Sequence, residues 1–172
     1  MDEVIESKTL SNSEQANKVV RNYSLASIVP SLIPVPVFDL AAVAGIQLKM
    51  LHSLAKIYGV EFKEELSRSA IASLVGGTVS LSAARMVSSA VKVIPGLGSI
   101  MGAVTLPIIS GGTSYAVGQV FIQHFETGGT LLTFDAAKVR NYFEQQFAEG
   151  KAIVADAVAS GETDAAAPQE AK

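Results

Sequence analysis

From Val93 to Gln123 the chain runs for 31 consecutive residues without a charged side chain. About 20 apolar residues suffice to cross a bilayer as a helix, so a stretch of this length raises the question of which solvent it meets. The wider window from Ser69 to Gln123, 55 residues, holds only Arg85 and Lys92 as charges. Eight of the chain's 14 glycines also fall there, at positions 76, 77, 96, 98, 102, 111, 112 and 118. A second uncharged run, Asn22 to Phe38, is interrupted by Pro30, Pro34 and Pro36. Met1-Asp2-Glu3 is acidic where a secretory signal opens with basic residues, so no cleaved signal peptide is expected.

The rest of the composition excludes several classes. The 172 residues carry 13 Lys+Arg against 16 Asp+Glu, a net charge of −3, and 49% of them are hydrophobic. A disordered chain needs low hydrophobicity with high net charge, and a nucleic-acid binder needs a basic balance; neither is present. The absence of cysteine excludes disulfides, thiol chemistry and Cys-ligated zinc. The length suits one domain with a real core. A mean hydropathy of +0.37 is high for a domain surrounded by water.

The periodicity is helical throughout, and the expected class is all-α with about five helices. Ser11 and Glu14 form a capping box ahead of a helix from about Asn12 to Ile28. The prolines of Ile33-Pro34-Val35-Pro36 exclude helix there. A second helix is expected from about Phe38 to Tyr58, with Leu40, Val43, Gln47, Met50, Leu54 and Ile57 at helical spacing, Lys49, Ser53 and Lys56 on the other side, and Gly59 as its C-cap. A third runs from near Phe62 to about Val93, loosened at Gly76-Gly77. Pro95-Gly96-Leu97-Gly98 reads as a turn. A fourth runs from Ser99 to Phe125, with Pro107 and Gly111-Gly112 expected to kink or split it. After Thr127-Gly128-Gly129-Thr130, a fifth starts at about Asp135 and places Val139, Tyr142 or Phe143, and Phe147 on one face. The expected organisation is a flexible segment 1–10, a single helical domain 11–156, and a disordered acidic, Ala-rich tail 157–172.

Small residues recur in helical register inside the uncharged window. Ser69, Ser73 and Gly77 are spaced by four, as are Gly76, Ser80, Ala84 and Ser88; Gly98 and Gly102 form a GxxxG, and Ser110, Ser114 and Gly118 form another ladder. Such ladders let helix backbones approach closely, in lipid or within a packed bundle. A hairpin of residues 70–94 and 99–123, with the Pro95 turn at its tip, would leave the polar segments Glu61–Arg68 and His124–Arg140 on one side of a membrane. Lys92 would snorkel at the tip, while Arg85, deeper in, would cost about 2.5–3.5 kcal/mol unless it met a partner helix, a carbonyl or water. Insertion of this hairpin and a soluble or peripheral bundle both remain open on the residues alone.

No reaction chemistry emerges. Gly96 to Gly102 lacks the GxGxxG spacing and a β-α-β setting, and no phosphate-binding GxxxxGK loop occurs. His52 and His124 are isolated, with no metal-ligand spacing. There is no GxSxG elbow, and Glu64 and Glu65 read as helix-start charges. No catalytic, cofactor-binding or metal-binding residue is assigned, and the chain is expected not to be an enzyme.

Several segments in order nevertheless look familiar: Ile33 through Asp39, Gln47, Met50, Leu54-Ala55-Lys56-Ile57-Tyr58-Gly59, Ile94-Pro95-Gly96-Leu97-Gly98-Ser99, Tyr115-Ala116-Val117-Gly118, and Phe121 through Gly129. Over about Val19 to Phe147 the chain resembles the bacterial YcjF-like family of unknown function, often found C-terminal to small Era-like GTPase domains. The resemblance implies a helical, membrane-associated domain without established catalytic residues. With no GTPase module in this sequence, any small GTPase partner would have to act in trans. The expected function is therefore a non-enzymatic membrane-associated protein at the bacterial cytoplasmic membrane, integral or peripheral, engaging lipid or self-associating through residues 69–123. The alternatives are a soluble homo-oligomeric scaffold and a GTPase adaptor; nucleic acid is not an expected partner.

Overall fold

The computed structural model describes residues 11–29, 36–89 and 98–162; for 36–41, 78–89 and 98–105 it describes the backbone alone. Five α-helices account for nearly all of this: α1 (Asn12–Ala26), α2 (Pro36–Tyr58), α3 (Glu64–Ser89), α4 (Gly98–Glu126) and α5 (Ala136–Ser160). Among the described residues there is no strand, and the class is all-α, as the periodicity indicates.

The helix boundaries follow local chemistry. Ser11 accepts from the Glu14 backbone N–H at 3.2 Å, and the Glu14 carboxylate accepts from the Ser11 N–H at 2.9 Å. This reciprocal pair satisfies two donors that the first turn of α1 leaves open. Gly59 ends α2 with φ +67°, a conformation that costs glycine nothing and other residues about 1–2 kcal/mol. Asp135 caps α5 by accepting from the Ala137 N–H at 3.0 Å, and Gly161 closes it at φ +73°.

Four boundaries differ from the sequence expectation. α2 begins at Pro36 rather than near Phe38, because proline is favoured in a first helical turn, where its missing N–H has no helical partner to lose. α3 passes through Gly76-Gly77 without a break. α4 is one helix across Pro107 and Gly111-Gly112, not two. Its glycines serve packing, since Val154 and Lys151 of α5 lie where their side chains would be. Finally, α5 continues to Ser160, past the expected start of the tail at residue 157, because Val154 and Ala157 are buried against Leu25 and Ile28 and hold the last turns down. The expected flexible segment 1–10, the turn at 95–97 and residues 163–172 of the expected tail lie outside the described residues.

The bundle is organised around α4. Ala116, Val117, Val120, Phe121, Ile122 and Phe125 are all buried, and neighbours surround them: α1, α2 and α5 pack along α4, while α3 packs between α2 and α5. The pairs Val20–Gly118 and Ser27–Ser114 run α1 antiparallel to α4. The pairs Val154–Gly111 and Gly150–Tyr115 do the same for α5, whereas Gln47–Ser114 and Tyr58–Glu126 run α2 parallel to it. Burial of a side chain such as Phe121 contributes about 1.5–3 kcal/mol, so the charge-poor helix is the main source of core area.

Candidate functional site

Two ends of the bundle differ in chemistry. At one end lie the start of α3 and the α4–α5 connection, where Glu61, Lys63, Glu64, Arg68, Asp135 and Lys138 are exposed and form short-range ion pairs. Tyr58 donates to the Glu126 carboxylate there at 2.8 Å. Burial first, and this bond to a carboxylate second, push the Tyr58 hydroxyl well above the usual phenol range. At the other end α1 stops, α5 finishes and α2 begins, and Ile108 of α4 packs there against Leu25, Ile28, Val154 and Ala157.

That second end combines exposed apolar side chains with an ion pair between Arg21 and Glu162 at 2.7 Å. Ser110 of α4 donates to the Ser27 carbonyl at 2.9 Å, which fixes the level at which α1 ends. Just beyond it Val29 and Leu106 are 51% and 56% exposed. The described parts of the uncharged runs Asn22–Phe38 and Val93–Gln123 meet here, while Asp39 falls in the first turn of α2 and the Arg21–Glu162 pair lies just past the end of α5. Residues 98–109 of α4 precede the level of Ser110, a length of ~18 Å at 1.5 Å per residue.

Between the ends runs a polar seam that the sequence reading did not assign. The Ser27 and Ser114 hydroxyls are 2.8 Å apart, both fully buried, and Gln47 donates to Ser114 at 3.3 Å. Farther along, Gln119 donates to the Asn17 side-chain oxygen at 2.8 Å. These bonds join α1, α2 and α4 across the core. The ladder Ser110, Ser114 and Gly118 was the available signal: its register is as expected, but its partner is α1 of the same chain. A Cβ on Gly118 would stand 2.5 Å from Val20 Cγ2, and one on Gly150 would stand 2.8 Å from Tyr115 Cβ. The small residues of α4 are thus spent on intramolecular packing.

The described half of the expected hairpin is an internal element of the bundle. Most of residues 111–125 of α4 are buried at the centre of the bundle against α1, α2 and α5, with Gln123 exposed. Among the described residues no helix is long and apolar enough to cross a membrane. The side chains of Arg85 and Lys92, and the Gly96-Leu97 part of the nucleotide-loop candidate, lie outside those described.

The remaining candidates stay apart. His124 contacts the Thr130 carbonyl through Nε2 at 2.9 Å and meets Phe134 edge-on at 5.3 Å, bracing the α4–α5 connection. His52 packs on Phe62 at 4.7 Å beside a shallow groove that Lys49, Glu64 and Arg68 also line. Glu64 pairs with Arg68 at 2.8 Å in the first turn of α3. Among the described residues no group of three His, Asp or Glu side chains is placed to hold a metal ion.

No solved structure matches the chain. It is similar to magnetosome membrane protein 22 of Magnetospirillum gryphiswaldense, with 45% identity over 151 residues that cover 87% of this chain and 77% of that protein. The family model for a domain of unknown function, DUF697, matches residues 1–152. With a match over nearly the whole described bundle, the chain belongs to the DUF697 family.

Proposed function

We propose that this protein is a non-catalytic helical domain that associates with a membrane. The observation that carries the reading is the similarity, at 45% identity over 87% of the chain, to a protein named as a magnetosome membrane protein. Its counterpart in the sequence is a pair of uncharged segments, 17 and 31 residues long (Asn22–Phe38 and Val93–Gln123), whose described parts meet where Ser110 donates to the Ser27 carbonyl. Because α4 is sheathed over its described buried half, association at the membrane surface fits this bundle better than a helical hairpin that spans it. Self-association through Ser110, Ser114 and Gly118 loses its basis, since these residues already face α1.

Fractionation of cells expressing the untagged protein tests this. The expected result is recovery with membranes at physiological salt and release by alkaline carbonate. Recovery in the soluble fraction throughout would remove the membrane reading, and carbonate resistance would favour an embedded segment over surface attachment.

A further inference from the structure

Lys49, His52 and Lys56 follow one another at i, i+3 and i+7 on α2, and all three are exposed. No acidic residue occurs between Asp39 and Glu61, so this face of the helix has no carboxylate of its own. Among the described residues neither Lys49 nor Lys56 forms an ion pair, whereas Arg21, Lys63, Arg68 and Lys138 each do. In a chain of net charge −3 this face is a local exception. Beside it, α2 and the start of α3 enclose a groove of about 330 Å³. Leu48 and Phe62 supply its apolar lining, and Lys49, His52 and Arg68 supply its polar lining. The His52 and Phe62 rings pack at 4.7 Å, and a Cβ on Gly45 would meet nothing within 4 Å, so the groove is open along α2. The nearby acids are otherwise engaged: Glu64 accepts from Arg68 at 2.8 Å, Glu61 pairs with Lys63 at 3.4 Å, and Glu65 lines a separate concavity over α3.

We infer that the exposed face of α2 at Lys49 and Lys56, with the groove beside it, binds the phosphates of anionic phospholipid headgroups; this rests on the membrane reading above. Three observations point to that occupant. The two ammonium groups are unopposed, and a lysine is a compact point charge with three donors, which suits phosphate oxygens. Their Cα atoms are two helical turns apart, about 10 Å along the axis, so a surface presenting many phosphates opposes both at once while a single small anion does not. The groove pairs this charge with the apolar surfaces of Leu48 and Phe62, which suit the glycerol and first methylenes of a lipid and offer nothing to a free phosphate. Binding of this kind needs no penetrating helix: the bundle rests on the headgroups along α2, and its interior stays closed.

Vesicle sedimentation tests this with the full chain. Partitioning onto phosphatidylglycerol vesicles is expected to exceed that onto phosphatidylcholine vesicles and to fall as salt is raised. Lys49→Gln and Lys56→Gln should each weaken it about fivefold, while Lys49→Arg and Lys56→Arg retain it. Lys138→Gln, which removes a lysine already paired with Asp135, should change it less than about twofold. All five side-chain changes are at exposed positions, and helical content should be unchanged. In a second arm, the amide resonances of His52 and Phe62 are expected to move on titration with phosphatidylglycerol bicelles and to stay in place with inorganic phosphate. Failure of the unaltered protein to sediment with either vesicle would overturn the membrane reading together with this one. Equal partitioning onto the two lipids, or an unchanged affinity in both glutamine variants, would overturn the α2 surface alone. Resonances that move equally with inorganic phosphate would assign the groove to a soluble anion, and overturn it too.

Discussion

The hydroxyls of Ser27 and Ser114 meet at 2.8 Å in the fully buried interior, and Gln47 donates to the same Ser114 oxygen at 3.3 Å. Ser27 also donates to the Tyr23 carbonyl at 2.8 Å and so keeps a partner if Ser114 is lost. Gln47 does not share that safeguard, because its one described hydrogen bond is to Ser114. Ser114→Ala is therefore expected to destabilise the bundle by about 1–3 kcal/mol, the cost of stranding a buried polar group. Ser114→Ala combined with Gln47→Leu should recover part of that loss. Urea unfolding midpoints of the two variants and the parent decide it.

Two glycine-to-alanine changes are expected to act in opposite directions. Gly118 faces Val20 so closely that an added Cβ would overlap its methyl groups, and the α1–α4 spacing would have to widen; the expected cost is about 1–3 kcal/mol. Gly45 lies inside α2 with nothing within 4 Å of an added Cβ. There Ala should stabilise by about 0.5–1 kcal/mol, because it loses less backbone freedom on folding. Thermal melts that move the same way for both variants would contradict the packing described.

Alkaline lability is expected from the tyrosines. Burial is the main cause that raises Tyr58, Tyr115 and Tyr142, with Glu126 adding to the first and Glu149 to the other two. A hydroxyl whose folded pKa lies above its unfolded value contributes fully below about pH 10, where both states hold the proton. Above that, the unfolded chain ionises first and stability falls. Unfolding free energy measured from pH 8 to 11 should be flat at first and then decline, and Tyr58→Phe should make the decline shallower. An unchanged slope in Tyr58→Phe would rule this out for Tyr58.

At the acidic side the capping box responds. Hydrogen bonds from the backbone and then the side chain of Ser11 hold Glu14 below the usual carboxylate range. The contribution of this depressed carboxylate is present above its unfolded pKa and is lost as pH falls through the folded one. Carboxylate NMR titration should place Glu14 at the low end of the chain's glutamates, and Ser11→Ala, which removes the hydroxyl bond but keeps the backbone N–H, should raise it only part of the way back.

How legible was this bundle before its structure? Capping and termination were, because they depend on neighbours in sequence: Ser11 with Glu14, Gly59 after Tyr58, and Asp135 before Ala136 are each a local chemical match. The register of Ser110, Ser114 and Gly118 was equally visible. What those residues face was not, since spacing specifies a stripe and says nothing of the helix laid against it. Gly111 and Gly112 illustrate the point: as breakers they suggest a split, but with α5 packed on them they are the reason α4 stays whole. The exposed pair Val29 and Leu106 escaped notice for a related cause. The two are far apart in sequence, and it is the Ser110–Ser27 bond and the packing of Ile108 beside Ile28 that set them at one level. Pro30 and Pro107, each next to one of them, were the local hint.

The polar seam also bears on the order of events during synthesis. Asn17 finds Gln119 across 102 residues, and Ser27 finds Ser114 across 87. Contacts so distant in sequence form late, because the loop between them must first be closed. α1 is made before the other helices, and although α2 can pack on part of it, the face that α4 covers waits until α4 has been made. In the interval that face is open to chaperones, to a membrane, or to another unfinished chain. The helix translated earliest is thus among the last to be secured, and the nascent chain has its longest exposure on the side that the finished bundle hides.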